Sequence, residues 1–381
     1  MRRLYMFNKY IHEMPSWPKF NWDNKQLAEK LATVRYRQGR LIGRMEALGF
    51  PLCAENALNA MTLDVLKSSE IEGEILDHEQ VRSSIARRLG IDIGVSVPTS
   101  RNVEGVVDMM FDATHNYSQP LTKDRLFGWH AALFSTGYSG LSKIKVGTWR
   151  DDANGPMQVV SGPIGRYRVH FEAPAADRLE SEMTAFLDWF NCTDRTDGVI
   201  KAGVAHLWFV TIHPFEDGNG RIARAIADMS LSRSEQNSLR FYSMSAQIQK
   251  ERDFYYKQLE HTQKGTLDIT AWLKWFLECL ERTFDSVDEV VAHVLKKTRL
   301  WKSWATVPLN ARQRLILNKL LEGFEGKLTS SKWAKLSKCS QDTALRDILH
   351  LVGHGILIKN KSGGRSTSYS LVDTTIDKKT E

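Results

Sequence analysis

The sequence predicts a mainly α-helical protein, and three observations lead there. Apolar residues recur at three-, four- and seven-residue spacings along most of the chain. Strand-like patterning is confined to two short glycine-bearing stretches, one in mid-chain and one near the C-terminus. The 381 residues are 42% hydrophobic and 25% charged, the balance of a soluble globular chain of two or three domains.

The first segment holds an aromatic lead-in with a proline break, Trp17-Pro18-Lys-Phe20-Asn-Trp22. Leu27, Leu31, Val34, Leu41 and Met45 then mark a helix over 24–48, and Leu58, Met61, Leu63 and Leu66 a second over 54–69. Gly73 interrupts, 77–89 reads as a third helix, and the turn-rich 90–100 gives a boundary, so the first domain is set at 1–98. A second domain, 99–295, carries helical spacing at 103–117, 122–134, 177–191, 200–211, 222–232, 245–259 and 270–295, with Thr122 and Asp177 as N-caps. Within it, 147–150, 159–165 and 166–171 read as short strands forming one hairpin. A third domain, 305–373, orders helices at 309–321, 329–336 and 340–352 before strands at 356–358 and 367–371. Three helices and a hairpin with a basic glycine-rich tip is the order of a winged helix-turn-helix.

Charge is unevenly placed. Residues 296–381 hold 17 Lys/Arg against 7 Asp/Glu, a net +10, whereas residues 1–295 hold 35 against 38, a net −3. The overall +7 therefore belongs to the C-terminal segment, which fits a polyanion partner there. Thr343 and Arg346 would face DNA from a recognition helix, and Lys359, Lys361 and Arg365 would reach phosphates from the wing; such domains also serve in protein contact. The four cysteines are far apart without metal-ligand spacing, and no stretch approaches the roughly 18 apolar residues of a membrane span. A cytoplasmic protein with reduced thiols is expected.

The chemistry concentrates in His213-Pro-Phe-Glu-Asp-Gly-Asn-Gly-Arg221-Ile-Ala-Arg224. Pro214 stops the apolar helix that precedes it. Gly218, Asn219 and Gly220 can turn the backbone so that successive N–H groups meet one anion, and the strong helix formers after Arg221 make this a helix N-terminus. Arg221 and Arg224, three residues apart, share one helical face and suit a polyphosphate. Asp217 can give one oxygen to Mg²⁺ while phosphates supply others, and His213 titrates where a general base is useful. Base, metal carboxylate, anion turn and paired arginines are the parts of a phosphoryl or nucleotidyl transfer. Phe215 reads as the loop's anchor in the core. A lone histidine or a lone Gly-Asn-Gly would more often be an incidental capping turn; twelve residues in this order are far more specific.

The run resembles the Fic family signature, His-x-Phe-x-Asp/Glu-Gly-Asn-Gly-Arg-x-x-Arg, at every defined position. The likeness extends over about 101–285, through Gly147-x-x-Arg150, a hairpin over 157–171 like the family's flap, and a segment at 245–259 with Tyr255-Tyr256 like the border of its adenine pocket. The resemblance implies a Fic-type helical core and AMP transfer from ATP to a Tyr, Thr or Ser hydroxyl of a protein substrate, which could be the chain itself. His213 would then be the base and Asp217 the Mg²⁺ ligand. Gly218, Asn219 and Gly220 would cradle phosphate, Arg221 would hold the α/β-phosphates, Arg224 would reach the γ-phosphate, and Tyr256 would line the nucleotide pocket. It also allows a homodimer.

Ser68-Ser-Glu-Ile-Glu72-Gly73 fits a second pattern of that family, Ser/Thr-x-x-x-Glu-Gly/Asn. The resemblance implies an inhibitory helix in which Ser68, Glu72 and Gly73 set a carboxylate against Arg224. A solvated helix-end glutamate is the plainer reading of so short a pattern taken alone. Two alternatives to AMP transfer stay open: AMP removal or another phosphoester transfer at the same site, and a nucleotide-sensing DNA-binding regulator. His115, His130, His206, His261 and His293 carry no partner pattern and read as surface or satisfied core residues; Trp272, Trp275 and Phe276 read as core.

Overall fold

The computed structural model describes residues 10–47, 49–93, 97–163, 166–193, 195–321, 326–360 and 367–372. The chain divides into two compact units, Met1–Asp288 and Glu289–Glu381. Within the first unit the helices on either side of residue 98 pack together.

The first unit is built around α7 (Gly198–Ile212) and α8 (Asn219–Glu235), which form its most extensive helix pair. From Ala202 to Ile212 every residue of α7 is buried, and from Arg221 to Ser232 every residue of α8. Helices buried on all sides belong in the middle of a bundle; α7 is largely apolar, whereas α8 also buries Arg221, Arg224 and Asp228. Around this pair lie α1 (Asn24–Ala47), α2 (Phe50–Ile71), α3 (His78–Leu89), α4 (Arg101–His115), α5 (Lys123–Leu133) and α6 (Leu179–Asn191). The helices α9 (Met244–Lys250), α10 (Arg252–Gln263) and the start of α11 (Thr270–Ser303) follow.

Most helices form where apolar periodicity places them. Thr122 caps α5, its side chain accepting from Arg125 N at 3.1 Å. Asp177 is not a cap: it lies in a 3-10 turn, Ala176–Arg178, that leads into α6. The single helix expected over 245–259 breaks at Glu251, which ends α9 and starts α10. Residues 147–150 form bends, not a strand.

The expected hairpin is β3 (Gln158–Ser161) paired antiparallel with β4 (Arg168–Glu172), and the register shifts between Val159 and Val160. A second small hairpin, β1 (Tyr138–Ser139) with β2 (Ser142–Lys143), had no sequence signal beyond Gly140 between two polar pairs. Tyr10 and His12 pack on the larger hairpin, and the aromatic lead-in after them packs on α6 and α7. Tyr10 meets Phe171 edge-on at 5.1 Å, and Trp17 donates to Glu182 at 2.7 Å while its ring meets Trp208.

In the second unit α12 (Ala311–Leu321), α13 (Ser330–Ser337) and α14 (Gln341–Gly353) precede β5 (Leu357–Lys359) and β6 (Tyr369–Leu371). Ile316, Leu317, Trp333, Ile348, Leu351 and Tyr369 fill its core. Thr329 and Ser340 cap α13 and α14 through their hydroxyls. Lys361 and Arg365 lie outside the described residues.

One close approach fixes how α4 meets α5. A Cβ on Gly105 would lie 1.8 Å from the Ala132 carbonyl oxygen, whereas one on Gly128 would meet nothing within 4 Å. Backbone cannot yield as a side-chain tip can. Gly105→Ala is therefore expected to lower stability by about 2 kcal/mol or more in urea denaturation. Gly128→Ala should leave it unchanged or raise it by up to about 1 kcal/mol.

Candidate active site

Where α7 ends, the sequence forces a reversal. Pro214 supplies no N–H and disfavours α geometry in the residue before it. His213 accordingly takes left-handed torsions, φ 52° and ψ 58°. Such a conformation is uncommon for a non-glycine residue and is stable only when its surroundings hold it. Arg150 does so: its backbone N–H donates to Pro214 O at 2.9 Å and its Nε to His213 O at 2.8 Å. A further guanidinium nitrogen donates to Pro174 O at 2.5 Å, so the deeply buried side chain joins the loop to the base of the hairpin.

Phe215 is fully buried and stacks on His130, centroids 4.2 Å apart and planes at 7°. His130 Nδ1 accepts from Gly147 N at 3.1 Å. The Asn219 side chain closes the loop from inside: Oδ1 accepts from Phe215 N at 3.0 Å and Nδ2 donates to Phe215 O at 2.8 Å. Of the three residues expected to share positive φ, only Gly218 has it (φ 79°); Asn219 and Gly220 are already the first turn of α8. A Cβ on Gly218 would press on the Phe134 ring at 2.8 Å. The loop thus brings His213, Asp217 and the N-terminal end of α8 together.

The α8 arginines are buried, Arg221 5% and Arg224 2% exposed. Arg224 Nε donates to Ser68 Oγ at 2.9 Å, and one terminal nitrogen donates to Ser68 O and to Glu72 Oε1, both at 2.8 Å. Burial by itself would lower the Arg224 pKa; the Glu72 carboxylate, together with Tyr255 and Tyr256, outweighs it and the pKa is raised. Glu72 Oε1 also occupies the first turn of α8, since a Cβ on Gly220 would stand 2.1 Å from it. Arg221 pairs with Glu74 at 2.6 Å and lies over the Phe134 ring at 5.0 Å. Arg221 Nε and Arg224 Nη1 are buried with no hydrogen-bond partner. Two desolvated donors left over beside a helix N-terminus are what an anionic ligand can satisfy.

Residues 120–231 match the Fic/DOC family. The chain carries a Fic domain. Residues 10–91 match a domain of unknown function (DUF4172), and Ser68, Glu72 and Gly73 fall within that segment. Among curated relatives, protein adenylyltransferase Fic of Nematostella vectensis is 35% identical over 115 residues, 30% of this chain and 25% of the relative. The protein of that name from Aedes aegypti is 33% identical over 270 residues, 68% of this chain and 49% of the relative. The chain spans about half or less of the length of these relatives. A Fic family protein from Desulfovibrio desulfuricans G20 shares the fold, with TM-score 0.53 at 18% identity over 92% of this chain and 97% of that one.

Around the Fic loop a cleft of about 550 Å³ is lined by Glu72, Glu74, Asn102, Ser139, Asp217 and Arg221, among others. Asp217 points a carboxylate into it; Oδ1 accepts from Gly218 N at 2.6 Å and Oδ2 from Ser139 Oγ. Among the described residues no group of three or more His, Cys, Asp or Glu could hold a metal. Asp217 alone fits a cation that draws its remaining oxygens from phosphates. Burial lowers the His213 pKa below its usual 6.5 and Arg150 adds to this; the hydrogen bond to Val210 O and the Glu72 and Asp217 carboxylates oppose it. The net direction keeps a free, proton-accepting nitrogen at neutral pH.

Tyr256 lies at the end of α2, its hydroxyl 3.4 Å from Ile71 O, beside Arg252 Nε at 2.8 Å from the same oxygen. Sequence reasoning missed Glu74 and Ser139 and passed over His130. For Glu74 a signal existed, an acid two residues past Glu72 and just beyond a glycine. For Ser139 and His130 there was none. Thr343 and Arg346 stand on α14 as expected; Arg346 and Lys359 are exposed, while Thr343 serves the Ser340 cap.

Two buried histidines give the unit a pH signature. Burial lowers His130 to about 4 and His206 to about 3 from 6.5. The unfolded chain takes up those protons below pH 6.5 and the folded one does not. This contribution is complete above 6.5 and is lost as pH falls toward the folded values. The thermal midpoint should therefore drop between about pH 7.5 and pH 5, and His130→Asn should shrink that drop.

Proposed function

We propose that this chain is a self-inhibited protein adenylyltransferase that moves AMP from ATP to a Tyr, Thr or Ser hydroxyl of a protein. The observation that carries the reading is Arg224, held by Ser68 and Glu72 at the start of α8 in the place where an anionic ligand would sit. In this reading residues 1–98 supply the brake and 99–295 the catalytic domain.

With the brake withdrawn, Gly218, Gly220 and the first backbone N–H groups of α8 receive phosphate oxygens. The Asn219 side chain keeps the loop in shape instead of touching ligand. Arg221 holds the α/β-phosphates, Arg224 the γ-phosphate, and Tyr256 borders the base. Asp217 would hold Mg²⁺, which when bound neutralises charge on the phosphates. His213 accepts the proton of the target hydroxyl as its oxygen bonds to the α-phosphorus and the bond to the β-phosphate oxygen breaks, releasing pyrophosphate. The β3–β4 hairpin would hold the target segment as an added strand.

Intact-protein mass after incubation with ATP and Mg²⁺ tests this. Glu72→Gly should gain AMP-sized increments, at an initial rate about tenfold or more above wild type. Adding His213→Ala should reduce that rate by roughly 10²-fold or more. Equal, unmodified masses in all three, with ATP still bound, would move the assignment to AMP removal, another donor or a nucleotide-sensing regulator.

For residues 305–373 we propose a winged helix that binds duplex DNA. Its +10 charge over 296–381 and the exposed Arg346 and Lys359 support this. Exposed Leu345 and Leu349 on α14 favour a protein partner instead. Retention on duplex DNA should fall steeply with salt and vanish on truncation near residue 300. Salt-independent or absent retention by the full chain would assign the unit to protein contact.

A further inference from the structure

We infer that Glu74 is a second inhibitory carboxylate, which blocks Arg221 independently of the Glu72 pairing with Arg224. The inference rests on the nucleotide-binding reading above and extends it to an arginine that the short inhibitory pattern does not reach.

The chain is led there by the way α2 ends. Gly73 takes φ 85°, its N–H donates to Glu70 O at 3.0 Å, and the N–H of Glu74 donates to Ser69 O, also at 3.0 Å. This is the double closure of a helix end with a left-handed residue just beyond it, a place that favours glycine. The reversal returns Glu74 toward α8 beside Glu72 instead of carrying it away along the helix. Two acids two residues apart then reach two arginines three residues apart. Glu72 Oε1 is 2.8 Å from Arg224, and Glu74 Oε2 is 2.6 Å from Arg221. Asn102, on α4, donates to the other Glu74 oxygen and fixes the carboxylate from its far side.

The pair is placed to matter. The Arg221 side chain is 6% exposed and that of Glu74 30%, so the contact is only partly screened by water. A phosphate that takes the Nη1 side of Arg221 must displace Glu74, which holds that nitrogen, while a face of the guanidinium lies on Phe134. The cleft in front of Arg221 is lined by three carboxylates, Glu72, Glu74 and Asp217. A polyphosphate entering it meets like charge until at least one acid has moved. Removing Glu72 takes the carboxylate away from Arg224 and the first turn of α8 but leaves the Glu74–Arg221 pair standing. Release is therefore a two-step event, with a partly open state after the first.

ATP binding measures this without requiring turnover. Calorimetric titration of ATP with Mg²⁺ would use the full chain carrying His213→Ala, with Glu72→Gly, Glu74→Gln, both, or neither. Glu74→Gln keeps the size of the side chain, and a thermal melt checks that each variant is folded. With Glu72 present, Glu74→Gln should tighten ATP by about the same factor as it does with Glu72 removed, because independent blocks add. With Glu72→Gly, it should tighten ATP by about fivefold or more. That gain should disappear when Arg221→Ala is added, which a general loosening of the α2 end would not produce. Unchanged affinity on adding Glu74→Gln to Glu72→Gly, or a gain that survives Arg221→Ala, overturns the inference. If Glu72→Gly fails to promote AMP transfer while Glu74→Gln still tightens ATP through Arg221, the second block stands and the transfer reading falls.

Discussion

Two guanidinium groups buried at the start of one helix are the constraint on which this site depends. A cation taken out of water must be paired, or its desolvation cost is uncompensated. Arg221 and Arg224 face that demand beside a helix N-terminus, which itself favours negative charge. In the described state the end of α2 meets it with Ser68, Glu72 and Glu74. Several local features then follow together. α2 must end where it does, Gly73 must reverse the chain, and Gly220 must lack a side chain so that a carboxylate can enter the first turn of α8. Binding and inhibition become two answers to the same electrostatic requirement.

The grip of α2 on this region extends beyond the two arginines. One turn before Ser68, Asp64 accepts from Ser243 Oγ at 2.6 Å and from Ser245 N at 3.0 Å, joining α2 to the start of α9. Burial and the Asp64 charge raise the pKa of Asp228, opposed by Arg240 at 3.0 Å. Asp64, Ser68 and Glu72 are four residues apart and share one face of α2. Polar contacts with the rest of the unit therefore recur along this face of α2 and its end.

The loop from His213 to Gly218 is tied from several sides. The Asn219 amide bridges Phe215, His130 stacks under Phe215, and Arg150 holds the carbonyls of His213, Pro214 and Pro174. His213 is kept in a left-handed conformation that the isolated chain would rarely choose. A histidine held at a fixed point beside a helix N-terminus is what the proposed transfer would exploit.

The sequence by itself determined the helices with strong apolar periodicity, the hairpin around 158–172 and the motif from His213 to Arg224. It did so because spacing and residue type carry that information locally. It also marked Glu72, through a resemblance and not through any local physical signal. What it left undecided depends on partners distant in the chain. The break at Glu251, the 138–143 hairpin and the failure of Asp177 to cap are set by packing that no short window records. His130, one histidine among eleven, gains its role only when Phe215 stacks on it from 85 residues away. Glu74 becomes an occupant of the site only because Gly73 reverses the chain and α8 presents Arg221, so the pairing exists in the tertiary structure alone.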